Sequence, residues 1–248
     1  MTIAALDLPS QFATYFEIVH ATSPALRDAG FSVRHRVYCE ELGFEPLRAD
    51  AMERDEYDDA AEHILIRSRR TLAFVGCARV VRPMPAEHAL PVERSGAWKA
   101  SRPLHDASGN PRVAELSRLA VVSDFRRRRG EQTSPVNLAE ADFGTRLQPR
   151  FPYIPVGLYL GALSLAARQR IATLVVLTEE RLARHFGRMG VQLDRCGEPV
   201  EYHGLRTPFT MSVDAIVQRL RADVRPLYDR IEAELQSNRA SEWPASSM

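Results

Sequence analysis

The stretch Glu115-Leu116-Ser117-Arg118-Leu119-Ala120-Val121-Val122, which runs on into Asp124-Phe125-Arg126-Arg127-Arg128-Arg129-Gly130, decides how this chain is read. It sets a carboxylate and a guanidinium in an apolar, β-rich segment and then turns into a basic loop. The apolar neighbours make Val113 to Val122 a central strand, where an unpaired charge is costly. Residues three apart on a strand face opposite sides, so Glu115 and Arg118 share one cavity only if a bulge intervenes. Taken alone, the pair fits surface ion pairs equally well, and the arginine run fits a solvated basic loop. The position of that run just after an apolar strand also suits phosphate, because guanidinium forks and backbone N–H groups match phosphate oxygens. It has no Walker-loop spacing, so nucleotide triphosphate hydrolysis is unsupported.

Working outward, Thr14 to Val19 is rich in β-formers and reads as a first strand. Ser23-Pro24 reads as an N-cap with proline at the first helical position, opening a helix that ends near Gly43. Two β runs, His63 to Arg69 and Thr71 to Val81, flank a turn at Ser68-Arg69-Arg70. Pro83 to Gly109 reads as loop with one short helix. Residues 130–155 shift to polar residues and prolines, the signature of an insertion. A helix from Val156 to Arg170, a strand from Thr173 to Thr178 and a helix from Glu179 to Met189 follow, implying a parallel crossover. Val191 to Val213 breaks into two or three short strands. Asp214 to Leu235 reads as a terminal helix, kinked or split at Pro226. The expected organisation is an α/β (α+β mixed-sheet) domain over 1–236 with a disordered tail at 237–248.

A chain of 248 residues and 27.9 kDa is long enough for one domain with a full core. Its 45% hydrophobic and 26% charged residues exclude global disorder. A net charge of only +1 argues against a nucleic-acid binder built on bulk electrostatics. The N-terminus lacks a secretory signal, and the longest apolar run, Val156 to Ala167, is too short to span a bilayer, so a cytoplasmic, non-transmembrane protein is expected. Cys39, Cys77 and Cys196 have neither disulfide nor metal-ligand spacing. Metal sites are accordingly expected to be absent.

Partners for a buried Glu115 and Arg118 are at hand. Arg34, on one helical stripe with Phe31, Tyr38 and Leu42, and Asp55, Asp58 and Arg79 form a candidate charged network with them. From composition alone, residues 53–62 read rather as a solvated acidic loop. The histidines lack a metalloprotease pattern; His203, between two turns, stands out as one that can reach a pocket.

The order Arg34-x-x-x-Tyr38-x-x-x-x-x-Phe44, then Asp55-x-x-Asp58, Gly76-Cys77-Ala78-Arg79 and Glu115-Leu116-Ser117-Arg118 resembles the acyl-homoserine-lactone synthase and N-acyl amino acid synthase superfamily. Within it, residues 34–45, Asp55-Glu56-Tyr57-Asp58, Glu115 to Val122 with Phe125-Arg126-Arg127-Arg128, and Tyr202 to Pro208 look most like acyltransferases associated with the PEP-CTERM/exosortase system. Phe44 and Leu119 depart from the tryptophan and phenylalanine that lactone synthases usually carry.

The resemblance implies a GNAT-like, three-layer α/β/α fold and an N-acyltransferase. Its acyl donor would be a fatty acyl thioester on acyl carrier protein or coenzyme A, with no bound cofactor. The acceptor would be the amine of an amino acid or a related small molecule, attacking directly. It implies Glu115 and Arg118 as the catalytic pair, with Glu115 as proton acceptor directly or through water and Arg118, with Arg79, orienting the acceptor carboxylate or holding the charged network; Arg34, Tyr38, Phe44, Asp55, Asp58 and Arg79 would bind substrate. Leu119, Ala120, Val121 and Val122 would pair with the phosphopantetheine arm, and Arg126, Arg127, Arg128 and Arg129 would meet its phosphate or an acidic carrier protein. Leu116, Val156, Leu160 and Leu163 fit an acyl tunnel or plain core packing. Alternatives are a lactone synthase using S-adenosylmethionine, and a non-catalytic sensor or scaffold that binds an acyl carrier or lipid.

Overall fold

Ser23 caps the second helix as the sequence predicts: its Oγ accepts from Leu26 N at 3.3 Å, and Pro24 opens the helix. The computed structural model describes residues 7–83, 89–99, 103–126, 151–188 and 190–237. In chain order they form α1 (Leu8–Tyr15), β1 (Phe16–His20), α2 (Pro24–Arg34), a π-helical segment (His35–Glu41), a 3-10 turn (Asp58–Ala60), β2 (Ala61–Ser68), β3 (Phe74–Val81) and α3 (Pro91–Arg94). Then come β4 (Val113–Val121), a 3-10 turn (Ser123–Phe125), α4 (Tyr153–Arg168), β5 (Thr173–Thr178) and α5 (Glu180–Arg188). The chain closes with β6 (Asp194–Arg195), β7 (Val200–Glu201), β8 (Leu205–Ser212), α6 (Val213–Arg219) and α7 (Arg225–Ser237).

The sheet runs β1-β2-β3-β4-β5-β8-β6, with β7 paired to β8. It is buried on both faces, which explains why β5, Thr-Leu-Val-Val-Leu-Thr, carries no charged residue. Ile64 and Ile66 face α4, where a methyl on Gly157 would come within 2.9 Å of Ile66 Cδ1. Leu65, on the opposite face, meets Gly30 of α2. Helices α4 and α7 thus cover one side and α2 the other, giving the expected three layers around a mixed sheet.

Two features of β4 make the site. Arg79 pairs with Ser117 and Cys77 with Ala120, so Ala78 alone stands opposite both Arg118 and Leu119. This is the required bulge, and Arg118 sits in it at φ 50°. Ahead of it, β4 and β5 pair in parallel at Val113, Ala114 and Glu115. Past Glu115 the strands part, while β5 stays zipped to β8 as far as Thr178. The gap between them is a cleft.

Several sequence expectations shift. Thr14 and Tyr15 end a helix instead of starting a strand; Asp7 caps that helix through Ser10 N at 3.3 Å. The helix expected to reach Gly43 changes at Arg34 into π-helical turns that stop at Glu41. The β2–β3 connection spans 69–73, longer than the three-residue turn expected. Tyr153 to Pro155 belong to the first turn of α4, not to an insertion, because proline is tolerated where helical N–H groups have no intrahelical acceptor. The rest of the expected insertion through residue 150, apart from its last few residues, lies outside the described residues. The terminal helix is split upstream of Pro226, between Leu220 and Val224, and Pro226 sits in the first turn of α7. Ser237 closes α7; the rest of the expected tail lies outside the described residues. No described helix is long and apolar enough to cross a membrane.

Candidate active site

The bulge turns Arg118 toward the α2 face, where Ser117, Arg79 and the loop after the π-helix lie. Arg118 Nη2 is 3.1 Å from Glu53 Oε1, 3.3 Å from Asp55 Oδ2 and 3.5 Å from Glu45 Oε1. Arg34, at the end of α2, donates to Glu53 Oε2 from Nε and to Asp58 Oδ1 from Nη1 at 2.6 Å. Arg79 on β3 donates to Asp55 and Asp58, each at 2.6 Å from Nη1, and to Ser117 Oγ at 3.1 Å. Three guanidinium groups and four carboxylates, with Glu45 at the edge, therefore meet in the layer between α2 and the sheet. Burial works against these charges, but mutual pairing wins. Asp58 is held down to about 2 by Arg34 and Arg79, and Arg34 and Arg118 are raised above the usual arginine value by Glu53.

Glu115 stands apart from that network, contrary to the expectation that it joins Arg34, Asp55, Asp58 and Arg79. Among the described residues its carboxylate accepts from Val92 N at 2.7 Å and forms no ion pair. The reason is geometric: Glu115 precedes the bulge and faces α3, opposite Val81 and beside Val175. Burial pushes its carboxyl up to about 7, against the pull of the Val92 N–H.

Glu115 and Arg118 nevertheless line the same cleft, with Glu45, Ser117, His203 and Arg206 at its polar end. His203 lies in the β7–β8 turn and stacks on Phe44 at 4.5 Å, with rings 10° from parallel. Arg206 holds that turn by donating to His203 O at 2.9 Å and Tyr202 O at 3.4 Å. The apolar end is formed by Leu116, Leu119, Val176 and Met211 with Tyr159, Leu182, Phe186 and Leu193. An elongated apolar chain with a polar head fits such a cleft.

The remaining expected site residues divide. Tyr38 and Phe44 line the cleft, and Tyr38 Oη donates to the Leu119 carbonyl at 3.2 Å. Arg34, Asp55, Asp58 and Arg79 form the wall behind it. Arg79 is 1% exposed and its Nε, Nη1 and Nη2 all donate within the protein, which leaves it positioning Asp55 and Ser117 rather than touching an acceptor. Leu119 reaches the cleft, whereas the side chains of Ala120, Val121 and Val122 pack in the core. Of the candidate tunnel residues only Leu116 lines the cleft; Val156, Leu160 and Leu163 are core. Arg126 is paired with Glu41, which also accepts from Ser123 N at 3.1 Å and Arg36 Nε at 3.0 Å. Arg127, Arg128 and Arg129 lie outside the described residues.

Sequence reasoning missed Glu53, Glu45 and Arg206. Glu53 stands two residues before Asp55 and was legible as part of the acidic segment; Glu45 and Arg206 lie inside the stretches 34–45 and 202–208 that carry the resemblance. Among the described residues, no group of three or more His, Cys, Asp or Glu side chains is arranged to hold a metal ion.

Residues 33–134, which hold α2's end, the acidic loop, β2, β3 and bulged β4, match the acetyltransferase (GNAT) domain family. Solved structures with a similar fold include TofI in a ternary complex with an inhibitor and MTA, at 24% identity and TM-score 0.57, covering 88% of this chain and 98% of that one. A CoA-dependent acyl-homoserine lactone synthase, BjaI, with SAM and isopentyl-CoA, is 20% identical at TM-score 0.54, covering 88% and 89%. FeeM, an N-acyl amino acid synthase from uncultured soil microbes, is 12% identical at TM-score 0.53, covering 84% and 96%. No curated protein sequence matches the chain. Residues 33–134, less than half of the chain, are thus similar to a GNAT acetyltransferase domain. The chain's fold is the one shared by these lactone and N-acyl amino acid synthases.

Proposed function

We propose that this chain is an N-acyltransferase that moves a fatty acyl group from an acyl-carrier-protein or acyl-CoA thioester to the amine of an amino acid or related small acceptor. The observation that carries the reading is Glu115, a buried carboxyl raised to about 7 on the wall of a cleft that is apolar at one end and charged at the other. The acyl chain would lie between Leu116, Tyr159, Phe186 and Met211, leaving the thioester carbonyl beside Glu115. The amine nitrogen attacks that carbonyl, the C–S bond breaks, and Glu115 takes the amine proton directly or through water. A carboxyl titrating near neutrality suits this task, since it is ionised often enough to accept the proton and acidic enough to release it.

Arg118 and the wall behind it fix the polar end, with Glu53 holding Arg34 and Arg118 together. The free edge of β4 past Glu115 suits the amide groups of a phosphopantetheine arm, and the arginine run after Phe125 suits its phosphate or an acidic carrier protein. A role beside the PEP-CTERM/exosortase system, in the cytoplasm, accords with the motifs at residues 34–45 and 202–208.

The test supplies purified protein with acyl-carrier-protein or acyl-CoA thioesters and a mixture of amino acids, and follows free thiol and product mass. Wild type should release thiol with a new amide product, and Glu115→Gln should release far less. Equal release by the two would remove Glu115 as the base.

A further inference from the structure

We propose that the groove on the outer side of Leu193, between α5 and β8, is a binding site for the far end of a long acyl chain, and that Leu193 is the gate by which the chain leaves the cleft. The inference rests on the acyltransferase reading and narrows its donor to long-chain acyl thioesters. It follows from two cavities that share one side chain.

The first cavity is the cleft itself, with a volume of about 150 Å³. An apolar cavity of that size takes a ligand of about six carbons, the measure of a benzene ring. A long acyl chain therefore overruns it. At the apolar end Tyr159, Phe186 and Met211 are buried, and the rings of Tyr159 and Phe186 lie 4.4 Å apart, so these side chains leave no way out between them. Leu193 closes the same end from an irregular segment just ahead of β6, and it is only half-buried.

The second cavity, a groove of about 510 Å³, is lined by the same Leu193. Its walls continue those of the cleft. On α5, Leu182 and Phe186 line the cleft, and their successors Ala183 and Gly187, about 100° further round the helix, line the groove. On β8, Met211 lines the cleft and Phe209, two residues away on the same face, lines the groove. Phe209 also stands opposite Val176, another cleft residue, across the β5–β8 ladder. Leu193 is thus a partition within one continuous trough.

The groove suits a hydrocarbon. Among the described residues, buried Ala183, Val191 and Phe209 line it with Gly187, while the exposed side chains of Glu180, Arg184 and Gln192 form its polar rim. Gly187 is exposed, and a methyl group built on it would meet nothing within 4 Å, so the space over α5 at this point is open. Each methylene that a chain buries there is worth up to about fourfold in binding. The reacting atoms are untouched: the thioester stays beside Glu115, and the groove acts on the tail alone.

A donor series decides the matter: butanoyl, hexanoyl, decanoyl and tetradecanoyl chains on coenzyme A and on acyl carrier protein. Each is given with the amino-acid mixture and followed by thiol release, and each is also titrated without acceptor by calorimetry. Wild type should use tetradecanoyl donors with kcat/KM at least about tenfold above hexanoyl donors. Gly187→Phe, which fills the groove from outside the cleft, should erase that gain and leave the hexanoyl rate unchanged. Leu193→Trp should cost the tetradecanoyl donors at least about tenfold more than the hexanoyl donors. No gain from hexanoyl to tetradecanoyl in wild type overturns the inference and leaves acyl transfer standing. A gain that survives Gly187→Phe overturns the groove, and equal losses on both donors in Leu193→Trp overturn the gate. Binding that strengthens with chain length and weakens in Gly187→Phe, with no thiol released, keeps the groove and overturns the acyltransferase reading. Neither binding nor thiol release from any donor overturns both.

Discussion

Glu53 is gripped by two arginines that come from opposite layers: Arg34 from the end of α2, and Arg118, 3.1 Å away, from the bulge of β4. The carboxylate is 2% exposed, so it serves as the pin between a helix and the strand that carries the cleft. Its removal leaves two buried guanidiniums facing each other's field, with Asp55 and Asp58 already shared.

Glu53→Ala should therefore cost about 3–5 kcal/mol of stability, the usual penalty for breaking a buried pair from one side. Urea unfolding monitored by circular dichroism measures it. A loss below about 1 kcal/mol, the range of exposed ion pairs, would mean that solvent replaces the carboxylate.

Arg118 combines a left-handed backbone with three ion-pair partners, and the two contributions separate by substitution. Both Arg118→Ala and Arg118→Gly lose the ion pairs, but glycine adopts φ 50° freely. The glycine variant should be more stable than the alanine variant by about 1 kcal/mol, the scale of left-handed strain in a non-glycine residue. Equal stability would show that the bulge straightens once the guanidinium is gone.

The rate should follow the ionisation of Glu115. If its carboxylate is the base, kcat/KM rises with pH through about 7 and then levels, since burial holds the carboxyl protonated below that value. Glu115→Gln should lower kcat/KM by about 10²- to 10⁴-fold and abolish the inflection. A variant that retains the inflection assigns it to another group.

Stability should respond to pH in two opposed windows. Asp58 and Glu62 both titrate near 2 in the fold; burial opposes the shift in Asp58 but Arg34 and Arg79 prevail, and His20 lowers Glu62. Their ordinary values are 3.8 and 4.5, so the stability they contribute is present above those values and is lost as pH falls toward 2. Glu115 has the opposite sign: its raised pKa favours the folded form at low pH, and that contribution is lost as pH climbs from 4.5 to about 7. Asp58→Asn should flatten the acid limb of a urea-midpoint profile and Glu115→Gln the upper one. A profile unchanged in both variants would contradict both assignments.

Much of the fold is legible because its signals are local. Ser23-Pro24 announces α2, and the apolar run Thr173 to Thr178 announces β5. The run Glu115 to Val122 even states its own condition: a carboxylate and a guanidinium three apart can share a cavity only through a bulge, and the pairing of Ser117 and Ala120 with β3 supplies it. The first helix was masked because Tyr15 and Phe16 pull toward strand, although Asp7 and Pro9 carry the start signal. The depth of the cleft was hidden for a different reason. Phe186, Leu193 and Met211 come from α5, from the strand region that follows it and from β8, and only the parting of β4 from β5 brings them to Leu116. Nothing local in those segments distinguishes a cleft wall from a core.

That brief parallel contact of Glu115 and its two predecessors with β5 has a mechanical meaning. The sheet is two antiparallel blocks, β1 to β4 and β5 with β8 and β6, joined along a short seam. Such a seam is a natural boundary between cooperative units, so amide exchange should release β5 and β8 before β2 and β3. A thioester lying across the gap would stitch the blocks together, and protection of β8 amides would then report occupancy of the cleft.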